Sequence, residues 1–435
     1  MNIQIVFFSF HRVLYDAVQK ERVQWDSLQS KDFTVRMQKG TKRRYAGVIL
    51  AAGESVRMGR AKPLLPYGEM TFVARVTDQL LLAGCEPVVV VLGRNAPEIQ
   101  SILPKDPRVI PLSNPHPEHG QISSLKRALS FLADSDRDAA LVALADHPDV
   151  KMSTFQSLVD AGDGSGYSIV IPTYKGRGGH PFLLSRDVWQ EMADTPMEGG
   201  ARPVVRRDRS RVLRLEVDDP GIHTDVDTPD DYQCLLRGQT SALILAGGQG
   251  SRLGGVDKSG LVCEGEELLD RTVGVLGQVA SEIILSVQGI PRRVPTGVRF
   301  IQDQYLGCGP LAGIHAGMQE CSHPWVIVVA CDMPHLSASL LSYLVEEAQG
   351  VDALVPMRRG RAEPLHAVYR REATISRVEK ILERGGRRLM ELLDEMEVRF
   401  LDEARWSSAI PEGGNSFRNL NTLEDLDESG IHVGF

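Results

Sequence analysis

The sequence has few cysteines and no long apolar run, and both absences narrow the kind of protein it can be. The six cysteines are scattered without C-x-x-C spacing, which argues against a zinc site or a disulfide framework. The apolar stretch at residues 3–10 is far shorter than the ~20 residues that a membrane-spanning helix needs, and it lacks the basic leader and cleavage site of a signal peptide. We therefore expect a protein of the reducing cytoplasm with no membrane partner.

The sequence also lacks an excess of basic residues. Its 49 Lys and Arg are outnumbered by 57 Asp and Glu, so the formal net charge is −8. Nucleic acids and anionic membranes attract proteins through a basic surface field, so this balance argues against both kinds of partner. At 435 residues the chain is too long for one ordinary core, and two or more domains are expected.

Two common phosphate-binding motifs are missing. A P-loop requires Gly-Lys-[Ser/Thr], whereas here Lys258 follows Asp257 and Lys62 precedes Pro63. The dinucleotide fingerprint G-x-G-x-x-G also fails, because Leu253 stands where its third glycine belongs. The sequence therefore predicts neither a P-loop NTPase nor a standard dinucleotide-binding site.

What the chain does contain is a glycine-rich loop that occurs twice. Residues 243–258 read LILAGGQGSRLGGVDK, and residues 48–62 read VILAAGESVRMGRAK. In each copy a short apolar run, typical of a buried parallel strand, breaks into glycines followed by Arg and Lys. Backbone N–H groups together with these cations are the groups that hold a triphosphate.

Four apolar runs in each half alternate with amphipathic segments, which predicts βαβ units around a mostly parallel sheet and an α/β fold class. The first half has runs at 48–51, 88–92, 109–112 and 140–144 with amphipathic segments at 71–83 and 123–133, and the second half has runs at 242–246, 283–287, 298–301 and 325–330. The segment GRGGHPFLL at 176–184 is interpreted as a turn.

Two further motifs recur in the same order. The fourth run is followed by Asp146 in the first half and by Asp332 in the second, at the strand edge where ligands bind in open α/β sheets. A Thr-Pro motif then follows Asp227 and Asn421, and by itself it indicates a helix start. The glycine loops are 194 residues apart, the strand-end aspartates 186 and the last motifs 194. Such similar offsets indicate tandem domains of one fold.

We expect residues 46–237 and 241–435 to form these two domains, joined near 238–241, with residues 1–45 as an appendage. Each motif alone has a simpler explanation, namely a tight turn, a helix cap or a helix start. A purely structural or interaction module would leave the repetition of all three in one order unexplained.

Together the motifs resemble the nucleotidyltransferases that join a nucleoside triphosphate to a phosphorylated partner and release pyrophosphate. Residues 241–435 resemble molybdenum cofactor guanylyltransferases through LAGGQGSRLGGVDK, IQDQYLGCGPLAGIHAG, VVACDMPHL, EPLHAVY and FRNLNTLEDL. Residues 46–237 resemble molybdenum cofactor cytidylyltransferases through LAAGESVRMGRAK, HGQISSLKRAL, ADHPDV, GGHPFLL and DVDTPDDY. The resemblance implies two tandem Rossmann-like (GT-A-like) domains, each a mostly parallel sheet sandwiched by helices.

By this resemblance the second domain binds GTP and Mg²⁺. It implies Arg252 and Lys258 as catalytic cations on the phosphates and Asp303 as the reader of guanine, since a carboxylate accepts from N1–H and the exocyclic amine together. It implies Asp332 and Asn421 as metal ligands. The other implied nucleotide contacts, which Asp332 and Lys258 also join, are Leu245, Ala246, Gly247, Gly248 and Ser286.

The first domain is implied to bind CTP and Mg²⁺, with Arg57 and Lys62 as catalytic cations and Asp146 with Asp227 as metal ligands. His147 stands where the relatives usually have Gln, and it is not expected to bind metal. Relatives that use guanine and cytosine tend to differ as LAGG against LAAG, so Gly248 opposite Ala52 is expected to mark the two bases. The other implied nucleotide contacts, with Lys62, are Leu50, Ala51, Ala52, Gly53 and Ser123.

The expected function is transfer of GMP and of CMP to Mo-molybdopterin, with molybdoenzymes or their chaperones as further partners. Two alternatives remain for the first domain. It could transfer CMP to another phosphorylated acceptor, such as a sugar phosphate or methylerythritol phosphate. It could instead be a non-catalytic module that binds nucleotide or cofactor.

Overall fold

The computed structural model describes residues 42–53, 55–246, 261–263, 266–291, 293–305, 307–420 and 431–433. Residues 43–435 belong to one compact unit, which contains two eight-stranded sheets. The strands of the first half are β1 Tyr45–Ala51, β2 Pro66–Tyr67, β3 Met70–Thr71, β4 Val88–Leu92, β5 Val109–Ser113, β6 Ala139–Leu144, β7 Ile169–Tyr174, β8 Arg177–Gly178, β9 Phe182–Ser185 and β10 Val212–Glu216. Its helices are α1 Phe72–Leu82, α2 Ala96–Ile102, α3 Gln121–Leu132, α4 Met152–Ser165, α5 Trp189–Asp194, α6 Arg202–Arg207 and α7 Pro229–Gly238.

The second half repeats this series. Its strands are β11 Thr240–Leu245, β12 Leu261–Cys263, β13 Glu266–Glu267, β14 Glu282–Val287, β15 Arg299–Gln302, β16 Trp325–Ala330, β17 Ala353–Arg358, β18 Arg361–Ala362, β19 His366–Arg370, β20 Val398–Leu401 and β21 Ile431–Val433. Its helices are α8 Leu268–Val279, α9 Pro310–Glu320, α10 Ala338–Glu347, α11 Arg371–Glu383, α12 Leu389–Asp394 and α13 Glu403–Ala409.

The two large sheets have the same topology. The first has the order β10-β7-β9-β6-β1-β4-β5 with β8 beside β7, and the second has β15-β14-β11-β16-β19-β17-β18 with β20 beside β17. In each sheet the four consecutive strands that reach one edge, β6-β1-β4-β5 or β16-β11-β14-β15, are parallel, and β9 or β19 is inserted antiparallel to its neighbours. The α/β fold class and the duplication are therefore confirmed.

The central strands are apolar along their whole length because helices cover both faces of each sheet. In β4 every residue is buried, with Val88 and Val90 facing one core and Val89 and Val91 the other. Helices α1 and α4 pack on the first of these faces, and α3 packs on the second. The second sheet is likewise buried between two cores. Each half is thus a three-layer sandwich.

The predicted strands and helices are present, but the segment interpreted as a turn at 176–184 is not only a turn. It contains β8 and the first three residues of β9, and β9 lies between β6 and β7. The run before it is broken by glycines and by Pro181, which disguise a strand in the sequence. Its burial between two neighbours stabilises it nonetheless, since Leu183 and Leu184 are fully buried.

The two halves meet through a shared hydrophobic core. Helix α7 ends at Gly238 and β11 begins at Thr240, so only Gln239 lies between them. The core that covers one face of the second sheet also contains Phe72 and Tyr232 of the first half. Other first-half members of this core are Met58, Leu65, Tyr67, Val226, Leu235 and Leu236. The segment after β1 therefore packs directly on the second half.

Two residues of the predicted appendage, Arg43 and Arg44, are tied to the first half. The Arg43 amide donates to Asp163, and the Arg44 amide donates to Asp138. Residues 1–41 lie outside the described residues. Over the ranges that the structure describes, no helix combines the length and the apolar character that crossing a membrane requires.

Candidate active site

The first half gathers basic and acidic side chains at the carboxyl end of β1. Lys62 hydrogen-bonds Asp227 Oδ1, and its Nζ atom lies 3.1 Å from Asp146 Oδ2. The same Nζ is 3.9 Å from Asp225 Oδ1, and Arg57 Nη1 lies 3.4 Å from Asp227 Oδ2. The predicted Arg57, Lys62, Asp146 and Asp227 are therefore brought together in one cluster.

Local structure explains why these side chains meet. Leu144, the last residue of β6, pairs with Leu50 of β1, which places Asp146 just beyond the sheet edge. The Val226 amide donates to the Asp146 carbonyl at 3.4 Å. The predicted helix start is confirmed, because Thr228 and Asp231 form a reciprocal capping box at the beginning of α7. This cap fixes the segment just before α7, which carries Asp225 and Asp227.

The cluster carries more negative than positive charge. Burial, together with repulsion from Asp146 and Asp227, raises the pKa of Asp225 to about 6. Burial alone would lower the pKa of Lys62, but hydrogen bonds and charge attraction from Asp227 and Asp146 raise it above its ordinary value. Three carboxylates facing one lysine and one exposed arginine attract a divalent cation.

Two residues of this cluster were not among the predicted site residues. One atom each from Asp146, His147 and Asp225 lie within 4.8 Å of one another, in an arrangement that could hold a metal ion. Asp225 is the first acid of the motif DVDT, and its two-residue spacing from Asp227 is a signal that could have identified it. His147 was not expected to bind metal, and nothing in its sequence context indicates that it is buried beside these carboxylates.

The second half places Asp332 in the same position as Asp146. Leu245 pairs with Ala330 as Leu50 pairs with Leu144. The Leu420 amide donates to the Asp332 carbonyl at 3.0 Å, which reproduces the bond between Val226 and Asp146. The two strand-end aspartates are therefore structurally equivalent.

The strand register corrects one predicted pairing. Leu50 lies opposite Val91 and Leu144, and Leu245 lies opposite Ser286 and Ala330, so Leu50 and Leu245 are equivalent. Counting forward from these leucines sets Ala52 against Gly247 rather than Gly248. The third residues of the tetrads LAAG at 50–53 and LAGG at 245–248 are likewise Ala52 and Gly247, so the expected base marker Gly248 was one residue off. Five predicted residues lie outside the described residues: Gly247, Gly248, Arg252, Lys258 and Asn421.

The predicted contacts Ser286 and Asp303 are in direct contact in the second half. The Ser286 hydroxyl donates a short hydrogen bond to Asp303 Oδ1. Burial raises the pKa of Asp303, while the bond from Ser286 opposes this shift. Gly313 of α9 packs closely against this pair, since a Cβ there would lie 2.8 Å from Ser286 Oγ and 2.8 Å from a methyl group of Leu245. Gly313 was not predicted, although it stands in the quoted segment GPLAGIHAG.

The equivalent position in the first half carries an amide instead of a carboxylate. The two positions are equivalent because the backbone N–H of Asn114 donates to the Leu92 carbonyl, just as the backbone N–H of Asp303 donates to the Val287 carbonyl. Asn114 stands six residues before the positive-φ Gly120, and Asp303 stands six residues before the positive-φ Gly309. This shared spacing could have identified Asn114 from the sequence.

Two serines surround Asn114. Its Nδ2 atom donates to Ser123 Oγ at 2.9 Å and to Ser124 Oγ at 3.0 Å. The hydroxyl of Ser123 in turn lies 2.8 Å from the Gly120 carbonyl oxygen. The side chain of Ser123 therefore holds the turn before α3, and its role as a nucleotide contact stays a prediction.

At the ends of β1 and β11 equivalent backbone groups are used within the sheets, since Leu50 accepts from the Ala145 amide at 3.3 Å and Leu245 accepts from the Cys331 amide at 3.1 Å. The Ala246 amide donates to the Ser286 carbonyl at 2.9 Å, and Leu245 accepts from the Cys331 amide, so the sheet uses these groups. Ala51 is likewise the last residue of its strand, and the exposed Gly53 lies beyond it. Gly93 was not predicted, but a Cβ there would lie 2.5 Å from the Ala52 carbonyl oxygen, so this close approach requires glycine.

The sequence of both halves matches a known protein family. The model of the MobA-like NTP transferase domain matches the chain twice, over residues 47–212 and 242–398. The chain belongs to the MobA-like NTP transferase family. Each match covers most of one large sheet, so both halves are MobA-like NTP transferase domains.

Individual relatives of the MobA-like chain carry related names. A probable molybdenum cofactor guanylyltransferase of Methanosarcina acetivorans is 36% identical over 201 residues, which are 43% of this chain and 88% of the relative. The molybdenum cofactor guanylyltransferase of Vibrio atlanticus is 31% identical over 45% of this chain and 98% of its own length. Rv0371c of Mycobacterium tuberculosis, crystallised in complex with manganese, is 30% identical with a TM-score of 0.37, covering 44% of this chain and 97% of its own.

Proposed function

We propose that the chain is a bifunctional nucleotidyltransferase of molybdenum cofactor biosynthesis, in which the second half transfers GMP from GTP and the first half transfers CMP from CTP to Mo-molybdopterin. The observation that carries this proposal is the equivalence of Asp146 and Asp332 at the same edge of two sheets with the same topology. Both halves match one nucleotidyltransferase family. Neither half has lost its strand-end acid.

The assignment of GTP to the second half is supported by Asp303, and the relatives support the use of GTP by this chain. A carboxylate offers two acceptor oxygens, which match the N1–H and exocyclic amine donors of guanine. Asp303 is 9% exposed and lies against Ser286, so water competes weakly for it. The curated relatives described above are named as guanylyltransferases.

The assignment of CTP to the first half is supported by Asn114. An amide has one acceptor and one donor group, so it cannot accept from both guanine donors. Both Nδ2 hydrogens of Asn114 are held by Ser123 and Ser124, and its Oδ1 accepts from the His116 N–H, so this side chain argues against guanine and does not itself pair with cytosine. The difference between Asn114 and Asp303 is independent of the loop difference between Ala52 and Gly247.

The residues of the first half fit a divalent ion, because Asp146 and Asp225 supply the oxygen donors that Mg²⁺ prefers. When bound, such an ion would neutralise charge on the nucleotide phosphates. Lys62 lies between Asp146 and Asp227, and it is positioned to stabilise the negative charge of departing pyrophosphate.

In the proposed reaction, a phosphate oxygen of molybdopterin forms a bond to the α-phosphorus while the bond to pyrophosphate breaks. Both reactants are anionic, so positioning and charge neutralisation supply most of the catalysis. A phosphate nucleophile is already ionised near neutral pH, and no general base is required.

The proposal is tested by measuring pyrophosphate release from the purified full chain with each of four nucleotides, with and without molybdopterin. We expect release with GTP and with CTP only when molybdopterin is present. Asp332→Ala should abolish the GTP reaction and spare the CTP reaction, and Asp146→Ala should do the opposite. If the CTP reaction needs a sugar phosphate or methylerythritol phosphate instead of molybdopterin, the acceptor assigned to the first half is wrong. If Asp332→Ala left GTP-dependent release intact, the assignment of the second site would be wrong.

A further inference from the structure

The residue directly after the strand-end aspartate differs between the two halves. It is His147 in the first half and Met333 in the second. Both side chains are buried, at 6% and 2% exposure. The thioether of Met333 lies 3.4 Å from Nδ1 of His366, whose Nε2 lies 3.2 Å from the Ser416 hydroxyl. In the second half, therefore, these side chains are engaged with one another.

His147 is placed differently. One of its ring nitrogens lies within 4.8 Å of a carboxylate oxygen of Asp146 and of Asp225. Its Nδ1 atom is buried and makes no hydrogen bond with any residue that the structure describes. The ring packs against that of His180, with centroids 5.7 Å apart. A buried imidazole nitrogen beside two carboxylates, in a site with excess negative charge, has the surroundings of a metal ligand.

The remaining acid of the cluster is committed elsewhere. Asp227 hydrogen-bonds Lys62, and it also pairs with Arg57 at 3.4 Å. Lys62 also hydrogen-bonds Asp146 at 3.1 Å, whereas Asp227 has both Lys62 and Arg57 as cationic partners. Asp146 and Asp225 each place a carboxylate oxygen within 4.8 Å of a ring nitrogen of His147, which gives a donor set of one imidazole and two carboxylates.

We propose that His147 is a nitrogen ligand of the divalent ion in the first half, and that it shifts the preference of this site from Mg²⁺ toward ions that accept imidazole, such as Co²⁺ and Zn²⁺ and, less strongly, Mn²⁺. Mg²⁺ is a hard ion that selects oxygen ligands, whereas imidazole suits later first-row metals. In the second half Met333 offers no such nitrogen. The two halves of one chain therefore differ in metal preference.

This inference deepens the proposed function at the first site and rests on it only for the presence of an ion there. Its test needs no nucleotide and no turnover. The full chain carrying Asp332→Ala, which removes the strand-end acid of the second half, is loaded with Mn²⁺ alone. Pulsed electron paramagnetic resonance then detects nitrogen coupled to Mn²⁺, and incorporation of ¹⁵N-histidine identifies the coupled nitrogen as imidazole without any change at position 147.

We expect a histidine nitrogen signal that changes with the ¹⁵N label and disappears in His147→Gln. The same substitution should weaken Mn²⁺ binding by about tenfold or more, while Mg²⁺ binding, measured by competition, changes much less. His119→Gln, at an exposed histidine of the same half, is the matched control and should alter neither. Thermal unfolding of each variant verifies that the fold is retained.

The inference is wrong if Mn²⁺ bound to the Asp332→Ala chain shows no histidine nitrogen, or if the signal survives His147→Gln. These outcomes are separate from failure of the proposed function. If the chain shows the nitrogen signal but releases no pyrophosphate with CTP, His147 is a metal ligand and the proposed cytidylyltransferase activity is wrong. If the chain releases pyrophosphate with CTP but shows no nitrogen signal, the proposed activity stands and His147 is not a metal ligand.

Discussion

The two halves share a scaffold and differ in the side chains around it. Both have the same order of eight strands, the same acid after the fourth parallel strand, and the same backbone bond from the last motif to that acid. Differences between the halves include Asn114 against Asp303, His147 against Met333, and Ser124 against Gly313, which are each four residues after the positive-φ glycines Gly120 and Gly309. Duplication has thus kept the framework and changed the groups that would meet the base and the metal.

The largest expected effect comes from Lys62, whose counterpart in the other half is known only from the sequence.

 Lys258 is that counterpart, and it lies outside the described residues. Lys62→Ala leaves Asp146 and Asp227 facing each other without their shared cation. We expect CTP-dependent pyrophosphate release to fall by about 10²- to 10³-fold, because charge on the departing group is no longer stabilised. GTP-dependent release should be unchanged.

The control for this prediction is Lys105→Ala, which removes an exposed lysine of the same half. Rates with CTP and GTP are measured on the same preparations. An equal loss with both nucleotides would show that the substitution disturbs the whole chain and does not act on one site.

The second effect concerns the base. Asp303→Asn gives the second half the same side chain that the first half has at Asn114. We expect the preference for GTP to fall by about 10- to 100-fold, since a bidentate pairing with a base is worth ~1–3 kcal/mol. Dissociation constants for GTP and CTP, measured in the Asp146→Ala background to silence the first site, report this change.

The matched reverse substitution is Asn114→Asp in the Asp332→Ala background. It should weaken CTP binding without producing tight GTP binding, because Ser123 and Ser124 still hold the side chain at position 114. Unchanged base preference in Asp303→Asn would contradict the role of Asp303.

The sequence predicted the scaffold better than the site because the scaffold follows from periodic apolar runs. The runs at 88–92 and 325–330 coincide with β4 and β16, since continuous burial on both faces leaves a clear pattern. The strand β9 was missed because glycine and proline surround it. Lys62 and Asp146 were predicted because each follows a recognisable strand end. Asp225 and His147 were not, because their importance depends on three segments that meet only in the folded chain. The pairing of Ala52 with Gly248 was one residue off, although the third residues of LAAG and LAGG already pair Ala52 with Gly247, and the strand register agrees with that pairing.

A smaller effect is expected at Gly313. In Gly313→Ala the new methyl group would lie 2.8 Å from Ser286 Oγ and from Leu245, so these side chains must move. We expect GTP to bind about tenfold more weakly, with little change in CTP binding, because overpacking of this kind costs ~1–3 kcal/mol. Calorimetric titration of both nucleotides measures the difference.

Gly274→Ala is the control for Gly313→Ala. Gly274 lies within α8, and a Cβ there meets nothing within 4 Å. This substitution should stabilise the chain by ~0.5–1 kcal/mol, because alanine is the better helix former, and it should leave both nucleotides unaffected. Equal losses of GTP binding in the two variants would contradict a local role for Gly313.

The smallest expected effect tests whether the halves influence one another. Arg60 lies between Arg57 and Lys62 in the loop of the first site, and its guanidinium lies 2.5 Å from Glu346 of α10 in the second half. Gln233 also donates to Glu346, at 2.9 Å. Glu346→Gln removes the charge that holds Arg60, and a partly exposed ion pair of this kind contributes ~0.2–1 kcal/mol.

We therefore expect Glu346→Gln to raise the KM for CTP by about two- to fivefold, although the substituted residue belongs to the other half. The neighbouring Glu347 provides a matched control, because it pairs with Arg405 within the second half at 2.6 Å. Glu347→Gln should leave the KM for CTP unchanged. The KM for CTP is measured at two salt concentrations. We expect salt to raise this KM in the unsubstituted chain and in Glu347→Gln, and to have less effect in Glu346→Gln, which has already lost the ion pair between the halves. An effect of equal size in both variants would contradict a specific role for the pair between Arg60 and Glu346. The second half would then support the first site only through the shared packed core.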